Sequence, residues 1–113
     1  MVVTDTLVVA RVSDAEGKTY ATLVHYAAHP TSVGGGNRLI SPDYIGAMRE
    51  LVERETEGAI CIFLHGADGD LTPRRSFEDC VDAADQNGKE LGYAALSTLA
   101  GLFPAGKRMV FDR

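Results

Sequence analysis

Ala59-Ile60-Cys61-Ile62-Phe63-Leu64-His65-Gly66-Ala67-Asp68-Gly69-Asp70-Leu71-Thr72-Pro73 is an uncharged apolar run that passes directly into a loop of glycine, aspartate, threonine and proline. The apolar part, residues 59–64, suits a strand buried on both faces. In the loop, Gly66 and Gly69 have access to backbone conformations closed to other residues. Asp68, Asp70 and Thr72 place polar groups just beyond the strand end. In open α/β sheets, ligand sites lie outside the carboxyl ends of the strands. Taken alone, such a loop is an ordinary tight turn. It gains a functional reading only beside a second loop, the one around His29.

Working outward, residues 6–12 (Thr-Leu-Val-Val-Ala-Arg-Val) are β-branched and apolar and predict a strand. Asp14-Ala15-Glu16-Gly17-Lys18 is turn chemistry. Residues 19–28 form a second apolar run, so the pair reads as a β-hairpin. A helix competes over residues 22–28, but Thr19, Tyr20, Thr22, Val24 and Tyr26 favour a strand. His29-Pro30 ends it, because Pro30 has no N–H for a ladder. The three glycines at 34–36 are not followed by the Lys-Ser/Thr of a phosphate-binding loop. Ser41 reads as a helix N-cap, with Pro42 at the first helical position and Asp43 at the positive end. Tyr44, Ile45, Met48, Leu51 and Val52 give an amphipathic helix to about Glu57, and Gly58 stops it. After the central strand, Phe77, Val81, Ala84, Gly88, Leu91, Ala95, Leu99 and Leu102 keep gaps of three or four residues. They predict a second, longer helix from Phe77, with a candidate interruption at Asn87-Gly88. Residues 107–111 are a candidate short C-terminal strand.

The expected order is strand, strand, helix, strand, helix in one α/β domain. The hairpin is antiparallel, and the strand–helix–strand crossover makes the second and third strands parallel. The sheet is therefore mixed, with helices packed on it. Parallel pairing brings His29 and residues 68–73 to the same sheet edge, with Ser41 and Asp43 above it.

With 113 residues and 45% apolar content the chain suits a single domain with a real core. A net charge of −5 argues against a nucleic-acid partner. No apolar run approaches the roughly 18 residues of a membrane span. The start, Met1-Val2-Val3-Thr4-Asp5, lacks signal-peptide character. Two cysteines, Cys61 and Cys80, make no disulfide framework, and a reducing, cytoplasmic setting is the expectation.

His29 is a candidate metal ligand, imidazole being the commonest nitrogen ligand. His25 stands about 13 Å away along a strand, too far to share an ion. His65, at the strand end, points either into the site or to a hydrogen bond. Asp68-Gly69-Asp70 lacks the spaced acids of a calcium loop. Thr72 carries a hydroxyl suited to nucleophilic or donor roles beside a base or metal.

His29-Pro30-Thr31, Leu39-Ile40-Ser41-Pro42-Asp43-Tyr44-Ile45-Gly46 and Phe63-Leu64-His65-Gly66-Ala67-Asp68-Gly69-Asp70-Leu71-Thr72-Pro73-Arg74, in that order, resemble the neutral/alkaline, non-lysosomal ceramidases and their bacterial relatives. The resemblance implies zinc-dependent hydrolysis of the amide bond of ceramide. It implies that His29 is a zinc ligand, and that Thr72 stands where the family's Gly-Asp-x-Ser-Pro motif has serine, with Asp70 in the same motif. His65, Gly66, Asp68, Gly69, Ser41 and Asp43 are then loop-supporting or substrate-side residues. Threonine keeps the hydroxyl but adds a methyl and stiffens χ1. The family's other ligands, an earlier histidine and a later glutamate and tyrosine, have no counterpart in these 113 residues. The expectation is a fragment or short relative of a ceramidase-like hydrolase, inactive by itself, with an incomplete zinc ligand set and weak or no zinc binding. The alternative is a non-catalytic α/β domain that binds a small molecule, a lipid or a partner chain. Uncovered strand edges at either end of the sheet predict a homo-oligomer.

Overall fold

A computed structural model describes residues 6–104. The elements follow the expected order: β1 (Val8–Ser13), β2 (Thr19–Tyr26), α1 (Asp43–Glu55), β3 (Ile60–His65) and α2 (Asp82–Ala100). The sheet runs β1-β2-β3. β1 pairs antiparallel with β2 (Val9 opposite Val24), and β2 pairs parallel with β3 (Thr22 opposite Cys61, Tyr26 opposite His65). The candidate strand at 107–111 lies outside the described residues.

Local chemistry fixes the connections. In the hairpin, Gly17 takes φ +92°, and the Asp14 carboxylate accepts the Lys18 N–H at 2.7 Å. α1 ends at Glu55, two residues before the expected stop. There the Thr56 hydroxyl bonds the Val52 carbonyl at 2.7 Å, and Glu57 and Gly58 turn left-handed at φ +56° and +82°.

Both helices lie on one side of the sheet. Val9, Val24 and Cys61 meet Met48 and Val52 of α1 and Ala95 and Leu99 of α2, with Phe63 and Leu91 packed against them. Burial pushes the thiol of Cys61 above its ordinary range, so this cysteine acts as a small apolar side chain. The helices touch through small residues. A Cβ on Gly88 would stand 2.4 Å from the Tyr44 carbonyl oxygen, and one on Gly92 would stand 2.8 Å from Leu51 Cδ2.

Two expectations are corrected. First, β3 is buried on one face only. Cys61 is enclosed, but Ile60 is 61% exposed, and Ile62 and Leu64 are also exposed. By the pairing register they share the open face with Val8, Ala10 and Val12 of β1 and with Ala21 and Leu23 of β2. The apolar run reflects a second face that nothing among the described residues covers. Second, α2 begins at Asp82 rather than Phe77, and it runs unbroken through Asn87-Gly88. The N–H groups of Phe77 and Glu78 are given to the carbonyls of Thr31 and Ser32, at 2.8 and 3.0 Å. A short parallel bridge joins Val33 to Glu78. Those amides are thereby removed from a helical start. Phe77 sits at φ +60° and is exposed.

The outer edge of β3 is clamped by α1. Glu53 accepts the Cys61 N–H at 2.9 Å, and Arg49 Nε donates to the Cys61 carbonyl at 2.7 Å. The two side chains also pair with each other at 3.2 Å.

Candidate functional site

Parallel pairing of β2 and β3 puts their carboxyl ends side by side, and there the two loops meet. The His29 N–H donates to the Leu71 carbonyl at 2.8 Å, and the Leu71 N–H donates to the Asp68 carbonyl at 2.8 Å. His29 lies three residues past β2, and His65 is the last residue of β3. Between them sits Asp68. Its Oδ2 is 2.9 Å from His29 Nδ1 and 2.5 Å from His65 Nε2. The two imidazoles are stacked edge to face at 6.2 Å. Asp68 Oδ2 is buried, yet it has no hydrogen-bond partner. The contacts are close, but they are not aligned as N–H···O bonds. The three donor atoms lie within 4.8 Å of one another.

The walls of this site are tied down from below. His65 Nε2 lies 3.2 Å from the Ala28 carbonyl, which also receives the Tyr44 hydroxyl at 2.6 Å. Tyr44 is buried, and that burial, with Asp43 beside it, pushes its phenol well above the ordinary range. It is a structural donor here. Asp43, buried, carries the loop after His29. Its carboxylate accepts the N–H groups of Ser32 (3.2 Å), Val33 (2.9 Å) and Tyr44 (2.7 Å). It does so with its own φ at +53°. The expected N-cap is corrected: α1 starts at Asp43 with Pro42 in the cap position and no side-chain cap, and Ser41 stands one residue before it, its hydroxyl accepting the Asp43 N–H at 3.0 Å.

The remaining sequence candidates are placed as follows. Gly66 is required by space, since a Cβ there would stand 2.8 Å from Ala27 Cβ. Gly69 has no atom within 4 Å of a Cβ. Neither glycine takes the left-handed backbone expected of it; among the described glycines only Gly17 and Gly58 do. Asp70 and Thr72 are exposed on the same loop, and Asp70 is not one of the clustered donor residues. His25 is not among the clustered donors; its Nε2 would lie 3.0 Å from a Cβ on Gly66. Sequence reasoning missed Asn87, whose amide donates to Ser32 Oγ at 2.9 Å and to the Arg75 carbonyl at 2.8 Å. It pins α2 to both loops. The available signal was a poor helix former in the middle of a strongly periodic helix. A cavity of about 320 Å³ opens beside the site, lined by Tyr26, Ala28, Tyr44, Pro73, Arg74 and Leu91 among others.

Two imidazoles and a carboxylate on an α/β scaffold make a donor set of the kind that holds a transition metal. Asp68 Oδ2, buried and without an aligned hydrogen bond, stands 2.9 and 2.5 Å from the two imidazole nitrogens, so the three donor atoms surround one small volume. No protein family and no curated protein matches the sequence. Solved structures do match in fold. A ceramidase complexed with C2 superposes with a TM-score of 0.71, and the neutral ceramidase of Pseudomonas aeruginosa with 0.67. Each is 23% identical over 82% of this chain, and the match spans 16% of the other chain. The structural neighbours are therefore ceramidases, in line with the resemblance carried by the motifs, and the likeness is one of fold.

Proposed function

We propose that this chain is a fragment or short relative of a zinc-dependent, ceramidase-like amide hydrolase, and that it supplies the part of the site built on His29 and residues 66–73. One observation carries this reading: His29 meets Asp68 and His65 at the ends of two parallel strands, within a fold shared with neutral ceramidases. When bound, zinc would supply Lewis-acid polarisation of the amide carbonyl. Thr72 offers a hydroxyl and Asp70 a carboxylate from the same exposed loop. Among the described residues no imidazole or carboxylate is hydrogen-bonded to the Thr72 hydroxyl. On this reading the groups that activate the Thr72 hydroxyl come from outside the described residues. The neighbouring cavity, apolar along Leu91 and Tyr26, suits part of a lipid or small-molecule ligand.

The expected result for the 113-residue chain is no hydrolysis of a short-chain N-acylsphingosine. Product formation that stops with a chelator and with Thr72→Ala would overturn the expectation of inactivity.

The open sheet face supports a second reading, self-association without catalysis. The helices pack on the opposite side and the β3 edge is clamped at Cys61, so the exposed face of Ile60, Ile62, Leu64, Val8 and Val12, beside the open β1 edge, is the surface this reading assigns to a second copy. Three strands at ~4.8 Å spacing and five residues at ~3.3 Å rise give roughly 14 × 16 Å, far short of the ~800 Å² per partner of a standard interface. Association is accordingly expected to be weak and concentration-dependent. Light scattering after gel filtration should show a mass that falls on dilution, and Ile62→Glu should give monomer throughout. A mass of one chain at every concentration would sink this reading.

A further inference from the structure

We propose that His29 Nδ1, Asp68 Oδ2 and His65 Nε2 together ligate one divalent cation, with zinc as the reference ion, so that the chain holds a metal with residues entirely its own. The proposal rests on the hydrolase reading only for the importance of His29. His65 and Asp68 occupy no ligand position that the resemblance supplies.

Three observations lead to it. A buried carboxylate oxygen without a hydrogen bond is costly, and Asp68 Oδ2 is such an atom while standing 2.9 and 2.5 Å from two imidazole nitrogens. Short approach without hydrogen-bond alignment is what results when three donors aim at a common point instead of at each other. Zinc holds nitrogen and oxygen at about 2.0–2.2 Å, so its ligand atoms stand about 3–4 Å apart. Donor atoms already within 4.8 Å of one another stand close to that spacing.

The neighbours permit it too. To ligate through Nε2, His65 must carry its proton on Nδ1 and release the Ala28 carbonyl. That carbonyl keeps the Tyr44 hydroxyl at 2.6 Å, so the release leaves no orphan. His29 and His65 are exposed on their outer sides, with side-chain exposures of 45% and 41%. Three protein ligands with an open outer position are the pattern of catalytic rather than structural zinc. Asp68 is held in place by its own turn, its carbonyl accepting the Leu71 N–H.

The test is calorimetric titration of zinc into the chelator-stripped chain, with cobalt absorption as a second readout of the coordination shell. The expected result is one ion per chain and a tetrahedral cobalt spectrum. His29→Ala, His65→Ala and Asp68→Ala should each weaken binding by more than the about 10- to 100-fold that follows loss of an outer-shell partner. His25→Gln should leave it unchanged. Asp68→Asn, which keeps the shape of the turn, separates ligation from folding: its circular dichroism should match the parent while its affinity falls. The proposal is overturned by absence of binding in the folded parent, by two chains per ion, or by binding that depends on His29 but survives His65→Ala. None of these readouts requires hydrolysis, so a chain that binds zinc without turning over substrate leaves the metal site standing.

Discussion

Asp43→Ala is expected to cost about 3–5 kcal/mol, because three backbone N–H groups lose one charged acceptor and hydrogen bonds to charged groups contribute ~1.5–3 kcal/mol each. At ~4–8 °C per kcal/mol for a domain of this size, the melting temperature should fall by roughly 20 °C or the chain should fail to fold. The backbone at this position adds a sharper test. A φ of +53° costs an ordinary side chain ~1–2 kcal/mol. Glycine relieves that strain but supplies no acceptor, and asparagine tolerates the conformation and keeps one. Damage should therefore increase from Asp43→Asn through Asp43→Gly to Asp43→Ala. Denaturant unfolding of the three variants measures the order. An alanine variant within ~1 kcal/mol of the parent would remove Asp43 from its place as the organiser of the His29 loop. Zinc affinity should fall with stability, because residues 31–33 hang from this carboxylate.

Gly88→Ala is expected to lose ~2–3 kcal/mol, although alanine is the better helix former by about 1 kcal/mol. The new Cβ would stand 2.4 Å from the Tyr44 carbonyl oxygen and 2.9 Å from the Met48 nitrogen, both backbone atoms that move only if α1 and α2 separate. Gly92→Ala on the same helix is the control. Its nearest neighbour is the end of the Leu51 side chain, which can rotate away, so the gain in helix propensity should make that change close to neutral. Thermal unfolding of both variants decides the matter, and equal losses at the two positions would contradict the packing argument. Separation of the helices at Gly88 would also shift Tyr44, the residue whose hydroxyl supports Ala28 beneath the site.

Much of this was legible in residue order. The crossover from residues 19–28 through a capped helix to residues 59–64 required parallel strands, and parallel strands required His29 and the loop at 66–73 to meet. Composition does not say which side chains face inward at that meeting. His65 and Asp68 read as turn residues until Asp68 is seen with both imidazoles beside it. Phe77 and Val81 matched the helical period by coincidence, because the carbonyls of Thr31 and Ser32, forty-six residues earlier, claimed the Phe77 and Glu78 amides a helix would need. Ile60, Ile62 and Leu64 signalled burial that the described residues do not provide, since an apolar run reports what a face requires and not which neighbour supplies it. Asp43 fitted a helix start, and its long-range role lay hidden because the Ser32 and Val33 amides it receives are unremarkable in sequence.

The clamp of Arg49 and Glu53 on Cys61 makes the sheet a one-ended platform. With both polar groups of that residue engaged, a fourth strand cannot pair with β3 at Cys61. Among the described residues no side chain occupies the backbone of β1 in the same way. A strand from this chain or another would therefore add beside β1, three strand positions from the strand that carries His65. The strand that delivers His65 stays at the rim, so the histidine–aspartate cluster keeps its lateral approach however wide the sheet becomes.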